Sequence, residues 1–276
     1  MSVRVSSYMS APVVTAHEND NLAHVRNLML KYKIGRVVVL REENVGGIFT
    51  ITDFVRVFTS QEKRWSYLPV NEILVKDVMT KNPIMIYQTK SVRLAAKTMT
   101  KYRISGLPAV DIEKRLKGII TKTNIVRAIP RTRSSKIRVE ELMTREVITL
   151  SPSHTLFRAA SVMAKHSISH VVVTEGKTPV GMISKSDLAS YAPVNSGRSA
   201  LERASGKGGY SKAYVVPLVA DLMRDSLVTI EPANTLGRAS EVMLEQGISS
   251  LPVVEGDSLV GIITKSDLVR AVAKFR

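Results

Sequence analysis

Cysteine is absent from the 276 residues, which removes disulfides, thiolate metal sites and cysteine nucleophiles from consideration. Aromatic residues are scarce, at 5% with a single tryptophan, so a core must be built mainly from aliphatic side chains. Histidine is limited to His17, His24, His154, His166 and His170, which are scattered rather than clustered at ligand spacing. No run approaches the roughly 18 apolar residues of a membrane span. The opening MSVRVSSYMS lacks the apolar centre of a secretory signal. These absences lead to the expectation of a cytoplasmic protein with no membrane role. Acidic residues are also in short supply, 24 against 40 Lys+Arg, for a net charge of +16. Self-repulsion of that size works against compactness, so its placement matters. Residues 61–133 hold 16 Lys+Arg and 5 Asp+Glu, which puts +11 of the +16 in one segment.

What is present is a fourfold self-similarity, and it decides the architecture. Four segments end alike: Gly47-Ile-Phe-Thr-Ile-Thr-Asp53, Gly118-Ile-Ile-Thr-Lys-Thr-Asn124, Gly181-Met-Ile-Ser-Lys-Ser-Asp187 and Gly261-Ile-Ile-Thr-Lys-Ser-Asp267. Each follows a β-rich run that starts at Arg36, Gly106, His170 or Ser250. Each opens about 44 residues before its terminal position with a methionine step, at Met9, Met79, Met143 or Met223. The terminal positions lie 71, 63 and 80 residues apart. Within a repeat the hydrophobic period switches between helical and alternating, as a β-α-β-β-α unit requires. In the third, Ser153 or Thr155 can cap a helix with Leu156, Ala159, Ala160 and Met163 on one face. Val92, Ala95, Ala96 and Met99, and Leu236, Ala239 and Met243, recur at the same offsets and read as core.

This pattern resembles the CBS domain over essentially the whole chain. The resemblance implies an α/β (α+β) fold of four β-α-β-β-α repeats, paired through their sheets into two modules that stack into a disc. The modules are expected at 1–130 and 136–276, joined by a Pro- and basic-rich linker from Ile129 to Lys136. The repeats are expected at 1–60, 68–130, 136–192 and 215–276, with a flexible basic insertion at 193–214. Gly206-Lys207 in that insertion is no phosphate loop, because Gly208 stands where a hydroxyl is required.

An acid at a helix start can accept hydrogen bonds from both hydroxyls of a ribose, and its charge strengthens them. A hydroxyl three residues earlier, and another directly before the acid, can reach ribose or phosphate oxygens, while helix-start amides favour anions. The resemblance carries these roles over unevenly. The first repeat offers Thr50, Thr52 and Asp53, with Arg36 at the position of a phosphate-binding base. The third offers Ser184, Ser186 and Asp187 with His170 there, and the fourth Thr264, Ser266 and Asp267 with Ser250. The second departs most, keeping Thr121 but replacing the acid by Asn124 and the base by Gly106. The implied ligand is AMP, ADP, ATP or a related adenosine compound, with no obligatory cofactor and no metal. The competing reading is that each acid only caps its closing helix. Nothing in the set activates a nucleophile, so a binding protein rather than an enzyme is expected.

The cations of the second repeat and its flanks include Lys63, Arg64, Lys90, Arg93, Lys97, Lys101, Arg103, Lys114, Arg115, Lys117, Arg131 and Arg133. Lys90, Arg93, Lys97 and Lys101 recur at helical spacing and are expected as an exposed stripe. Trp65 and Tyr67 beside Lys63 and Arg64 offer a stacking element, and Arg203, Lys207 and Lys212 add an extended basic loop. Sequence-blind phosphate contact with RNA is the expected use, since no helix-turn-helix, zinc finger or RNP pair is visible. The resemblance reaches archaeal CBS-only proteins, some of them ribosome-associated. That leads to a ribosome-docking, translation-silencing factor that responds to energy stress. The alternative is a nucleotide-sensing subunit that acts on a protein partner, as the γ subunit of AMP-activated kinases does. A homodimer through the modules fits either.

Overall fold

A computed structural model describes residues 3–59, 68–191 and 216–274. Repeat 1 comprises β1 (Thr15–His17), α1 (Leu22–Lys31), β2 (Arg36–Arg41), β3 (Asn44–Thr50) and α2 (Ile51–Thr59). The short α3 (Val75–Val78) and β4 (Thr80–Lys81) lead into repeat 2, formed by β5 (Ile86–Tyr87), α4 (Val92–Tyr102), β6 (Gly106–Val110), β7 (Leu116–Thr121) and α5 (Lys122–Ala128). Repeat 3 contains β8 (Thr149–Leu150), α6 (Leu156–Lys165), β9 (His170–Glu175), β10 (Thr178–Ser184) and α7 (Lys185–Tyr191). Repeat 4 contains α8 (Leu236–Glu245), β11 (Ser250–Glu255), β12 (Ser258–Thr264) and α9 (Lys265–Lys274). In repeat 4 the first strand is reduced to a bridge between Ile230 and Val253.

The first helix of every repeat starts at a residue whose side chain accepts from the backbone N–H three positions on: Asn21, Ser91, Thr155 and Thr235. Such caps are worth about 1 kcal/mol each. The face behind each cap is buried, with Ala95, Ala96, Ala159 and Ala239 letting the helix approach its sheet closely. The hairpins β2–β3, β9–β10 and β11–β12 turn in two residues, and Gly176 and Gly256 supply the positive φ there.

Repeats pair by exchanging their lead-in segments. Val5 N–H donates to Lys90 O and Ser10 N–H to Ile119 O, so the chain start docks on repeat 2. Val75 N–H donates to Asp20 O, and β4 pairs with β3, so the lead-in of repeat 2 docks on repeat 1. The same exchange joins repeats 3 and 4 through Val139 N–H to Asn234 O and Val219 N–H to His154 O. Each lead-in methionine lies on a glycine of the partner strand. A Cβ added to Gly47 would stand 2.2 Å from Met79 Sδ, and one added to Gly118 2.4 Å from Met9 Sδ. The same holds for Gly181 against Met223 at 2.7 Å and Gly261 against Met143 at 2.6 Å. Glycine is required at these four places for close approach, not for its freedom of φ.

The two modules then meet through helices: α2 packs on α7, and α9 packs on α4 and α5. One continuous core runs through repeats 2 and 4, including Ile120, Ile125, Leu251, Leu268 and Val269. Repeats 1 and 3 keep separate cores, with Ala189 of repeat 3 reaching into that of repeat 1. The segment expected as a linker is two short 3-10 turns with Ile129 and Ser134 buried, packed beside α8. The basic insertion at 193–214 lies outside the described residues.

Candidate functional site

All four terminal residues sit in the first turn of a closing helix and fold back on the end of the preceding strand. Asp53 Oδ2 accepts from Thr50 N–H at 2.9 Å and Thr50 Oγ1 at 2.7 Å. Asp187 Oδ2 accepts from Ser184 N–H at 2.8 Å and Ser184 Oγ at 2.6 Å. Asp267 Oδ2 accepts from Thr264 N–H and Oγ1, both at 2.7 Å. Asn124 uses its Oδ1 in the same way toward Thr121, at 2.8 and 2.7 Å. The capping role is therefore real, and it uses one of the two head atoms. The second atom turns outward: Asn124 Nδ2 donates to Ser10 Oγ at 3.1 Å, whereas each carboxylate turns a charged acceptor, Oδ1, the same way.

The outer oxygens are held by arginines that the sequence reading did not assign to the clefts. Arg56 Nη2 pairs with Asp53 Oδ1 at 3.0 Å, Arg224 Nη2 with Asp187 Oδ1 at 3.2 Å, and Arg270 Nη2 with Asp267 Oδ1. In repeats 1 and 4 the signal was available as Asp-x-x-Arg, one helical turn apart. In repeat 3 the partner comes from the lead-in of repeat 4 and leaves no local signature.

The basic positions differ as strongly as the acids. Arg36 crosses from β2 of repeat 1 to repeat 2, where Nη2 donates to Ser105 Oγ at 3.0 Å. Its Cδ lies 2.9 Å from where Gly106 would carry a Cβ, so the missing side chain of repeat 2 is replaced by the Arg36 stem. Burial lowers the Arg36 pKa to about 10, which leaves it protonated. His170 opens β9, and burial lowers its pKa to about 4 against the opposing pull of Asp187, so it is neutral near pH 7. Ser250 opens β11 and is buried beside Met182 Sδ at 3.2 Å. The hydroxyls directly before the acids, Thr52, Ser186 and Ser266, are exposed.

Three lysines at the helix starts were also missed, although Thr/Ser-Lys-Thr/Ser recurs in repeats 2, 3 and 4. Lys122 Nζ donates to Ser266 Oγ at 2.7 Å, and Lys265 Nζ to Thr123 Oγ1 at 3.2 Å, so repeats 2 and 4 each place an ammonium beside the other's terminal motif. Burial lowers both, Lys265 to about 8, with Arg36 adding like-charge repulsion to each. Lys185 of repeat 3 is lowered by burial and held up by Asp53 of repeat 1.

The expected basic stripe is only partly there. Lys90, Lys97, Lys101, Arg103 and Lys114 are exposed, with Lys101 Nζ 5.2 Å from the Tyr102 ring centroid. Arg93 is a correction. It is partly buried and donates from Nη2 to Lys274 O at 3.4 Å, so it clamps the end of α9 instead of facing water. A helical wheel shows which residues share a face but not that another module covers part of it. Arg26 makes the matching contact to Ser190 O at the end of α7, at 3.1 Å. Arg115 is paired with Asp111 at 2.8 Å and Glu113 at 3.0 Å, and Lys117 with Asp111 at 3.3 Å. Lys63, Arg64, Trp65, Tyr67, Arg203, Lys207 and Lys212 lie outside the described residues, as do the side chains of Arg131 and Arg133. Among the described residues no group of three His, Asp or Glu could hold a metal, and no helix is long and apolar enough to cross a membrane.

Comparison with known proteins fits this geometry. Uncharacterized protein MJ1225 of Methanocaldococcus jannaschii is 24% identical over 287 residues, covering 99% of this chain and 100% of that one. Its crystal structure, described as that of a proposed archaeal homolog of g-AMPK, superposes with a TM-score of 0.81 at 21% identity, covering 97% of this chain and 99% of that one. That likeness shows the fold. L-aspartate semialdehyde sulfurtransferase of the same organism is 34% identical over 161 residues, 57% of this chain and 31% of that protein. An uncharacterized 33.4 kDa protein in the ribosomal RNA operon of Thermofilum pendens is 26% identical over 195 residues, 71% of this chain and 63% of that one. The chain thus spans less than two thirds of the length of these last two relatives. The CBS domain matches residues 5–60, 75–131, 139–193 and 219–274, and the chain belongs to the CBS-domain family.

Proposed function

We propose that the chain is a non-enzymatic sensor of an adenosine nucleotide, AMP, ADP, ATP or a close relative, that regulates a macromolecular partner. The observation that carries this is the carboxylate of Asp53, Asp187 and Asp267: one oxygen is pinned by a Thr or Ser, and the other is turned outward, held only by a largely exposed arginine that a ribose diol can replace. The ammonium groups of Lys122, Lys185 and Lys265 nearby suit phosphate. The cleft at Asn124 is the poorest candidate, since its amide lacks the charge and Arg36 covers Gly106. Calorimetry with AMP, ADP and ATP tests the reading, which expects binding at two or three sites without turnover. Steady hydrolysis by pure protein, abolished by Asp187→Ala, would contradict it.

The exposed Lys90, Lys97, Lys101 and Arg103, which have no acidic partner among the described residues, favour RNA, ribosomal subunits included, as that partner. Phosphate contacts make such docking fall steeply with salt. Sedimentation with purified ribosomal subunits at two salt concentrations is the test, with Lys90→Glu, Lys97→Glu and Lys101→Glu combined as the variant. A wild-type chain that stays at the top of the gradient at low salt leaves the protein-partner reading, a nucleotide-sensing subunit without nucleic acid, in its place.

A further inference from the structure

Each acid-bearing cleft contains its own competitor for the ligand. We propose that Arg56, Arg224 and Arg270 are latches: each guanidinium holds the outer carboxylate oxygen that a ribose diol needs, so an incoming ligand must displace it. The inference rests on the adenosine reading for its ligand, but the ion pair that forms the latch does not depend on that reading.

The geometry leaves the acids little choice. Oδ2 of Asp53, Asp187 and Asp267 already accepts two hydrogen bonds, from a backbone N–H and a hydroxyl. A ribose hydroxyl must therefore find its acceptor in Oδ1, and Oδ1 is engaged by the arginine in all three clefts. The arrangement is not a by-product of helix spacing. Arg56 and Arg270 reach the acid from one turn along the same helix, but position 190 of repeat 3 is Ser, and there Arg224 arrives from repeat 4. The same contact is made by two routes. In repeat 2, where the acid is Asn124, Arg127 occupies the equivalent helical position and is exposed without an acidic partner among the described residues.

The latch also touches the pairing of repeats. Arg56 Nη2 donates to Val78 O at 3.1 Å as well as to Asp53, and Val78 precedes the Met79 that lies on Gly47. Arg224 follows Met223, which lies on Gly181. A diol that takes the acid therefore frees a guanidinium from the seam between two repeats, a direct path from cleft to module.

The guanidinium groups are 55–64% exposed while the carboxylates are 6–13% exposed, so displacement carries a modest penalty. Adenosine is the right probe, because an uncharged ligand does not register the loss of a cation at long range. In calorimetry on the full chain, Arg56→Ala, Arg224→Ala and Arg270→Ala are each expected to bind adenosine about three- to tenfold more tightly at their own cleft, with Arg127→Ala unchanged. Unchanged or weaker binding in all three overturns the latch. A ligand-free measurement decides the same point. The side-chain NMR signals of Arg270, whose guanidinium pairs with Asp267, should show hindered rotation in the wild-type chain and free rotation in Asp267→Ala. Free rotation in the wild type overturns the proposal. A chain that binds neither adenosine nor AMP removes the adenosine reading, and the NMR result then stands alone on the latch.

Discussion

Repeats 2 and 4 and repeats 1 and 3 both meet through their closing helices, yet only the first pair shares a core. On the fused side, α9 lies across α4 and α5, and Ile125, Leu268 and Val269 are completely or almost completely buried in common. On the other side α2 meets α7 and Ala189 joins the core of repeat 1, but the two cores stay separate. The clefts follow the same division. The fused side carries the amide cleft and the crossed lysines Lys122 and Lys265, whereas the other side carries two carboxylates and the half-buried His170. Four near-copies of one motif have thus been divided into a half whose core joins the modules and a half whose cores stay apart.

The most severe test compares equivalent leucines. Leu268→Ala opens the shared core and should lower unfolding free energy by about 2–5 kcal/mol. Leu188→Ala, at a half-buried position, should cost about 1–2 kcal/mol. Equal losses in urea titrations would erase the asymmetry. Acid should separate the halves next. The His170 pKa is lowered from 6.5 to about 4, so below pH 6.5 the unfolded chain takes up a proton that the fold resists. The stability is complete above pH 6.5 and is lost as pH falls toward 4, by at most about 3 kcal/mol. His170→Asn should flatten that slope, and Ser250 on the fused side cannot contribute one.

Ligand affinity gives the third contrast. Asp187→Ala and Asp267→Ala should each lose roughly 1.5–3 kcal/mol of charge-assisted bonding to ribose, read by calorimetry with AMP. Asn124→Asp should raise affinity at its cleft by about 1 kcal/mol, and an unchanged stoichiometry and affinity would mean that the amide is not what limits it. The smallest effect is expected from Lys90→Glu, Lys97→Glu and Lys101→Glu, each within about 0.5 kcal/mol in stability, because these side chains face water.

Much of this was legible in the sequence, for identifiable reasons. The fourfold Gly-to-Asp ending and the Leu/Ala/Met stripes are short-range patterns, and short-range patterns survive without knowledge of tertiary contacts. Thr155 was recognisable as a cap for the same reason. The seams were not legible. Met79 on Gly47 and Arg36 over Gly106 join residues 32 and 70 positions apart, and no periodicity announces them. Arg93 was misassigned because an amphipathic face was taken to end at solvent, when the helix also borders α9. The lysines beside the acids carried a signal that the reading passed over, since Lys in three of four terminal motifs is itself a pattern.

The exchange of lead-in segments sets an order on synthesis. Residues near Val5 emerge from the ribosome ahead of their docking partners, Lys90 and Ile119, which follow only after repeat 1 is complete. The segment must wait, unsatisfied, for 85 residues of further chain at Val5 and 109 at Ser10 before its backbone finds partners, and closing that loop carries an entropic cost that grows slowly with length. Repeat 1 meanwhile lacks the segment around Val75 that covers its own core. A nascent chain stopped after one repeat is therefore an open half. The smallest piece in which every lead-in segment finds its strand is a pair of repeats.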